Sequence, residues 1–192
     1  ERDKNGRATR ILGTHIDISP TKQIEEALRE SQEKYKKLAT TDMLTGVMNR
    51  YSLDGLLKTE TDRSKRYGIP LSLLMLDLDN LKTINDNSGH LAGDEALKEM
   101  CSFVQSNIRS CDHLGRWGGD EFLVLVTNTD LEGAMKVAEK LRSGLNSLEP
   151  KECGKLSISI GVSTLLDGES DYDRLLRRVD KALYESKRNG KN

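Results

Sequence analysis

The stretch Arg116-Trp117-Gly118-Gly119-Asp120-Glu121-Phe122, followed by Leu123-Val124-Leu125-Val126, decides the fold of this chain. The successive apolar residues from Phe122 predict a strand covered on both faces, because a strand with one wet face alternates apolar and polar residues. The segment 113–117 is the candidate partner strand, and Gly118-Gly119 stands where a tight two-residue turn requires positive φ. The sequence therefore predicts a hairpin that carries Asp120 and Glu121 at the entrance of a buried strand.

Adjacent carboxylates at the entrance of a buried strand favour a nearby cation, because they repel one another and are poorly solvated. A Gly-Gly turn with two solvated acids is the simpler interpretation of these four residues taken alone. A second acidic cluster favours the cation, since the apolar run 71–76 ends in Asp77-Leu78-Asp79. A strand that ends in carboxylates, beside a hairpin that carries two more, predicts an oxygen-ligand site for Mg²⁺.

The overall composition describes one domain of ordinary size with a short appendage. The chain has 192 residues, of which 32% are charged, and its formal net charge is −1. So small a net charge exerts no bulk attraction on nucleic acid or on a membrane surface. We therefore expect no nucleic-acid partner and no direct membrane contact for this fragment, and any phosphate binding must depend on local groups.

The cysteines and the apolar runs predict a cytoplasmic location. Cys101, Cys111 and Cys153 are widely spaced and form no CxxC pair, a pattern typical of reduced thiols. No apolar run approaches the roughly 20 residues that span a bilayer, and no signal peptide is visible. Because the chain begins at Glu1 and not at methionine, we expect it to be part of a longer protein, for which an upstream membrane anchor is left open.

The order of helical and strand patterns predicts the fold class. Apolar spacing predicts helices over about 51–67, 93–108, 131–145 and 175–183, and strands over about 71–79, 113–117, 122–126 and 156–162. This helix, β-α-β-β-α-β, helix order predicts an α+β, ferredoxin-like fold, with an antiparallel sheet and helices on one face. The first and third strands are neighbours in that plan, so Asp77 is expected close to Asp120 and Glu121.

The segment 81–94 is predicted to be a long loop between the first strand and the next helix. It is rich in Asn, Asp, Gly and Ser. Irregular segments of this length inside a compact domain are usually functional.

A separate helix over residues 20–40 precedes this domain. Ile24, Leu28, Ser31, Tyr35 and Leu38 follow alternating spacings of four and three, which is a heptad seam. Two interpretations remain open: the seam of a parallel homodimer, or an amphipathic helix packed on its own domain. An isolated coiled coil is marginal at barely two heptads with one polar seam position.

The quoted motifs together resemble the GGDEF-domain diguanylate cyclases, over about residues 41–192. Gly118 to Phe122 matches the family signature, and 42–50 is similar to the family's entry motif Asp-x-Leu-Thr-Gly-Leu-x-Asn-Arg. The segment 77–86 resembles Asp-x-Asp-x-Phe-Lys-x-x-Asn-Asp, with leucine where phenylalanine is usual. The resemblance implies a nucleotidyl-cyclase fold of the polymerase-palm type.

The same resemblance implies a set of metal and catalytic residues. Mg²⁺ or Mn²⁺ is expected to bind Asp77, the carbonyl of Leu78, Asp120 and Glu121. Asp120 and Glu121 are the implied catalytic pair, with Asp120 as the candidate base for the 3′-hydroxyl.

Substrate and product residues are implied in the same way. Substrate GTP would be held by Asn80, Leu81 and Lys82 at its phosphates, by Asn85 and Asp94 at guanine, and by Lys187 and Lys191 near the C-terminus. Taken alone, Asn85 is a turn cap and Asp94 a helix N-cap. Arg109 and Asp112 fit the family's Arg-x-x-Asp site for product, although a salt bridge at a helix end has the same sequence pattern.

The implied function is condensation of two GTP into cyclic di-GMP and two pyrophosphates by a homodimer, paired through the 20–40 helix and inhibited by its product. A catalytically silent receptor for cyclic di-GMP or GTP is the alternative. Residues 1–19 resemble the C-terminal end of a PAS sensor domain, on Ile11 to Thr14 and Asp17 to Ser19, so the 20–40 helix would be a signalling linker.

Overall fold

The computed structural model describes residues 4–7, 17–148, 150, 154–169, 171–188 and 190. The chain divides into two compact units, Glu1–Lys37 and Leu38–Asn192. The segment that resembles the end of a PAS domain, residues 1–19, lies mostly outside the described residues.

The predicted N-terminal helix is present as α1, Ser19–Thr40. Its seam residues Ile24, Leu28 and Tyr35 are 69%, 57% and 70% exposed. Ion pairs of Arg29 with Glu26 and Glu33 run along the helix surface, where such pairs add little stability. The apolar seam is therefore exposed in the single chain.

The second unit alternates helices and strands in the predicted order. Its elements are α2 Arg50–Tyr67, β1 Leu71–Leu78, α3 Leu81–Ser88, α4 His90–Asn107, β2 His113–Arg116, β3 Glu121–Thr127, α5 Leu131–Asn146, β4 Ile158–Thr164 and α6 Asp173–Arg188. Gly68 ends α2 in the left-handed conformation at φ 64°, as glycine does at many helix ends. No helix in the described part of the chain is long and apolar enough to cross a membrane.

The four strands form one antiparallel sheet in the order β2-β3-β1-β4. This order confirms the ferredoxin-like fold, in which the first and third strands occupy the centre. β1 is buried along its whole length, and β3 is buried after its first residue.

The sheet is covered on both faces, which corrects the expectation of helices on one face. Leu74 and Leu76 of β1 pack with α4 and α5 in one core. Leu73 and Met75 pack with α2 and α6 in a second core on the opposite face. The expectation counted only the two crossover helices, whereas the apolar residues of both central strands require a cover on each side.

The segment 81–94 is helical, so the predicted loop was wrong. α3 and α4 occupy it, separated by Gly89 at φ 85° and ψ 165°. Leu81 and Ile84 are half-buried against the first core. Two apolar anchors one turn apart thus hold a helix that its polar composition disfavours.

The helix α6 packs against β4 with backbone almost in contact with backbone at Gly161. A Cβ at Gly161 would lie 2.3 Å from the carbonyl oxygen of Val179 and 2.4 Å from the amide nitrogen of Leu183. Backbone atoms cannot move aside as a flexible side chain can, so this glycine sets how closely α6 approaches the sheet.

We predict that Gly161→Ala lowers the free energy of unfolding by about 1–3 kcal/mol, because the added methyl overpacks the helix–strand contact. The matched control is Gly55→Ala in α2, where a Cβ meets nothing within 4 Å; there alanine should stabilise the helix by about 0.5–1 kcal/mol. Urea unfolding followed by circular dichroism measures both. Equal shifts for the two variants would contradict the close packing of α6.

Candidate active site

The ends of β1 and β3 bring the two predicted acidic clusters together. Asp77, near the end of β1, lies directly opposite Glu121, the first residue of β3. Side chains alternate along a strand, so Asp77 shares the face of Met75, which α2 and α6 cover. The expected proximity of Asp77 and Glu121 is confirmed by this register.

Asp77 is buried and has a cation beside it. Its side chain is 7% exposed, and the Lys187 ammonium from α6 lies 2.6 Å from Oδ2. At that distance the contact is an ion pair that also lies within hydrogen-bonding range. Burial raises the pKa of Asp77, Lys187 opposes that rise, and the charges of Asp120 and Asp79 reinforce it. A carboxylate in this position is stabilised by a further cation.

Asp79, the second acid of the β1 cluster, is engaged by the sheet. Its carboxylate accepts hydrogen bonds from Ser157 Oγ at 3.0 Å and from Ser159 Oγ at 2.7 Å, and its N–H donates to the Ser157 carbonyl. Asp79 therefore anchors the chain where β1 turns into α3. Sequence reasoning missed both serines, because small polar residues on a half-buried strand carry no distinct signal.

The hairpin turn differs from the prediction. Neither Gly118 nor Gly119 adopts positive φ, and Trp117 and Gly118 both donate their N–H groups to the Glu121 carbonyl. A Cβ on Gly118 would lie 2.9 Å from Glu121 Oε2. Glycine at 118 thus leaves space for the Glu121 carboxylate in its present position and does not serve a left-handed backbone.

Arg116 holds this turn from outside. Its Nε and Nη2 donate to the Gly119 carbonyl at 3.0 and 2.6 Å, and its Nη1 donates to both carboxylate oxygens of Asp42. Burial acts to raise the pKa of Asp42, but hydrogen bonds from Thr45 and the charge of Arg116 outweigh it and hold that pKa below its usual value.

The turn before α2 is therefore tied to the hairpin by Asp42 and Arg116. Both residues belong to the motifs found in the sequence, Asp42 to 42–50 and Arg116 to 116–122, but the sequence did not predict that they hold the hairpin in place. Two oppositely charged residues in two separate motifs were the only sequence feature that could have indicated this ion pair.

The helices α3 and α4 carry the predicted nucleotide residues. Asn80 precedes α3 in the left-handed conformation at φ 59°, and Lys82 is exposed in the first turn. Asn85 Oδ1 is buried and accepts no hydrogen bond. A Cβ at Gly93 would lie 2.0 Å from that oxygen, so α4 is in contact with the Asn85 amide beside Asp94.

The alternative predictions, that Asn85 is a turn cap and Asp94 a helix N-cap, are both wrong. Asn85 lies inside α3 and its side-chain oxygen caps nothing. Asp94 lies in the second turn of α4, whose N-cap is Gly89. Neither side chain therefore serves as a helix cap, and the Asn85 oxygen is a buried acceptor without a hydrogen bond.

The Arg109–Asp112 turn follows α4, and its two side chains are used differently. Asp112 is buried, and its carboxylate accepts N–H groups from Arg109 and Thr127 at 3.1 Å each. Arg109 is exposed, and within the described residues the two side chains form no ion pair. The turn borders a surface pocket of about 330 Å³ that is also lined by Thr41 and Met48. Lys191 lies outside the described residues.

The acidic residues at the strand ends fit a magnesium ion. In the described ranges, no three His, Cys, Asp or Glu side chains converge as a ready-made metal cluster. Mg²⁺ is usually held by one or two carboxylates together with substrate phosphates. Asp77 and Glu121 supply that number across the β1–β3 pair, and the buried Asp77 carboxylate already lies against a cation, the Lys187 ammonium.

Comparison with known proteins agrees with this geometry. Residues 39–192 match the family described as diguanylate cyclase, GGDEF domain. Diguanylate cyclase DosC of Escherichia coli is 36% identical over 196 residues, covering 100% of this chain and 42% of DosC. The chain thus spans less than half the length of this relative.

Solved structures resemble the chain as well. The coiled coil and GGDEF domain of DgcB from Caulobacter crescentus, crystallised with c-di-GMP, superposes with a TM-score of 0.82 at 28% identity, covering 91% of this chain and 94% of that one. Diguanylate cyclase SiaD of Pseudomonas aeruginosa, in complex with its activator SiaC, gives 0.76 at 36% identity, covering 88% and 66%. On this match and this fold, the chain belongs to the GGDEF-domain diguanylate cyclase family.

Proposed function

We propose that this chain condenses two GTP molecules into cyclic di-GMP and releases two pyrophosphates, in a reaction that requires Mg²⁺ or Mn²⁺. The observation that carries the proposal is the direct pairing of Asp77 with Glu121, in which the buried carboxylate of Asp77 already lies against a cation, the Lys187 ammonium. The names of the relatives support the same activity.

The metal would be held by Asp77, the Leu78 carbonyl, Asp120 and Glu121. When bound, it supplies charge neutralisation for the triphosphate and acidifies the attacking hydroxyl. Asp120 is exposed at the tip of the hairpin, where it can accept the proton of the 3′-hydroxyl. Arg116 keeps the turn in place through the Gly119 carbonyl.

The phosphates would lie at the start of α3. The first N–H groups of a helix have no partner within the helix and attract anions. Asn80 and Leu81 place that helix end beside the last residues of β1. Lys82 in the first turn, and Lys187 and Lys191 from the C-terminal segment, add positive charge.

Guanine would be read by Asn85 and Asp94. The unpartnered Asn85 oxygen can accept a hydrogen bond from an N–H of guanine. Asp94 can accept from N1–H and the 2-amino group, whereas adenine presents an acceptor at N1. This difference disfavours adenine nucleotides.

The reaction requires two copies of the domain, because one domain holds one GTP and each 3′-hydroxyl attacks the α-phosphate of the other. The exposed seam of α1, with Ile24, Leu28 and Tyr35, is the surface that would pair them as a homodimer. In this proposal, residues 20–40 are a signalling helix between a sensor that ends near residue 19 and the cyclase domain. Activity should then rise with protein concentration as dimers form.

We expect purified protein to form cyclic di-GMP from GTP and Mg²⁺, and Asp120→Ala to lose turnover while it still binds GTP. The control is Asp167→Ala, which removes an exposed acid after β4 and should retain full activity. Product is measured by chromatography and GTP binding by calorimetry. A wild-type protein that forms no product, even when dimerised artificially, would leave the silent-receptor alternative.

We predict that Asn85→Ala raises KM for GTP by roughly 5–30-fold, the equivalent of one or two kcal/mol, with little loss of stability. Substitution of a residue whose hydrogen bond stabilised the fold would lower the unfolding midpoint. The Asn85 side-chain oxygen has no hydrogen bond to lose, so the midpoint should change little. Steady-state kinetics and thermal unfolding test the two effects separately. Asn87→Ala, exposed on the same helix, is the control and should change neither.

Product inhibition is expected through Arg109, whose guanidinium can bind a phosphate bidentately and stack on guanine. Arg109→Ala should let cyclic di-GMP accumulate to a higher plateau at an unchanged initial rate, whereas Arg66→Ala, an exposed arginine of α2, should not. Progress curves at equal dimer fraction measure both quantities. Identical plateaus, with no dinucleotide bound to the wild type, would remove the product site from the proposal.

A further inference from the structure

The ion pair between Lys187 and Asp77 joins the C-terminal helix α6 to the end of the central strand β1. Lys187 lies in the last turn of α6, and Asp77 is near the end of β1. The Asp77 side chain is 7% exposed and the Lys187 side chain 35%. One partner is therefore fixed inside the protein, and the other reaches it from the surface.

The surroundings of Asp77 explain why a cation must be there. The negative charges of Asp120 and Asp79 act to raise the pKa of Asp77. Asp79 is held by two serine hydroxyls and cannot move away. Lys187 brings a positive charge to this group of carboxylates, with its ammonium 2.6 Å from Asp77 Oδ2.

Lysine is suited to a temporary role at this position. Its charge is a compact ammonium on a flexible four-carbon stem, which needs no fixed orientation. The Asp77 contact is one ammonium–carboxylate pair at 2.6 Å, which the ammonium can exchange for another anion without a fixed orientation to restore.

We propose that Lys187 is an exchangeable counter-ion: it occupies the metal position against Asp77 in the nucleotide-free protein and moves to the triphosphate when metal and nucleotide bind. The inference rests on the proposed function of this site, because it requires that a divalent cation and a triphosphate bind there. No bond is formed or broken in this exchange.

Competition between the ammonium and the metal has a thermodynamic consequence. A free divalent cation must displace Lys187 into water, whereas a cation that arrives with a triphosphate provides the ammonium with a new anionic partner. The metal should therefore bind the free protein weakly and bind much better with nucleotide. Lys187 would thus couple the two ligands, and such coupling is reciprocal.

The test is a titration of the nucleotide-free protein with Mn²⁺, followed by electron paramagnetic resonance of the free ion. Lys187→Met removes the ammonium and keeps the length of the side chain, so it should tighten Mn²⁺ binding roughly fivefold or more, a usual size for coupling between sites. The matched control is Lys181→Met on the same helix, whose lysine is 77% exposed and paired only loosely, at 3.8 Å, with Glu185. That variant should bind Mn²⁺ as the wild type does, and Asp77→Asn should bind it most weakly.

A second titration contains 3′-deoxy-GTP, which lacks the attacking hydroxyl and cannot react. This nucleotide should increase Mn²⁺ affinity strongly in the wild type and much less in Lys187→Met, because that variant has no ammonium to transfer. Circular dichroism confirms that each variant is folded.

Unchanged or weaker Mn²⁺ binding by folded, nucleotide-free Lys187→Met would overturn the exchange. Neither titration depends on turnover, so the exchange can fail in a protein that makes cyclic di-GMP. It can also hold in a protein that makes none, and the two proposals are therefore tested separately.

Discussion

The antiparallel pairing of β1 with β3 is the constraint on which the rest of this structure depends. It places Asp77 opposite Glu121, and a shift of one residue would turn one of these side chains to the other face of the sheet. Register is held by the apolar residues of both strands, which are packed on two faces. The same burial that stabilises the fold raises the pKa of Asp77 and creates its need for a cation.

Neighbouring elements support this pair from three sides. Ser157 and Ser159 of the β4 segment fix Asp79, Arg116 fixes the hairpin carbonyl of Gly119, and α6 delivers Lys187. In the proposed function, Lys187 is the one of these supports that also contacts the substrate. A site for phosphates and metal must hold like charges close together, and hydrogen bonds from fixed donors are what oppose their repulsion.

Patterns that depend on local physics were predicted well. The apolar run after Glu121 identified a buried strand, and Gly68 identified a helix end. The loop expected over 81–94 was wrong, because Leu81 and Ile84 gain from packing that composition alone does not report. The positive φ expected at the hairpin glycines was wrong, since neither adopts it; Gly118 instead lies close to the Glu121 carboxylate.

The sequence by itself determined the order of the elements, the two acidic clusters and the family motifs, because each is written in consecutive residues. Only the tertiary structure decided that Lys187 pairs with Oδ2 of Asp77 and that Ser159 hydrogen-bonds the Asp79 carboxylate. It also decided that the Asn85 side-chain oxygen is buried without a hydrogen bond. These features join residues far apart in the chain, as with Ser159 and Asp79. Their contacts follow from the packing of β4 and α6 on the central strands, which no local pattern contains.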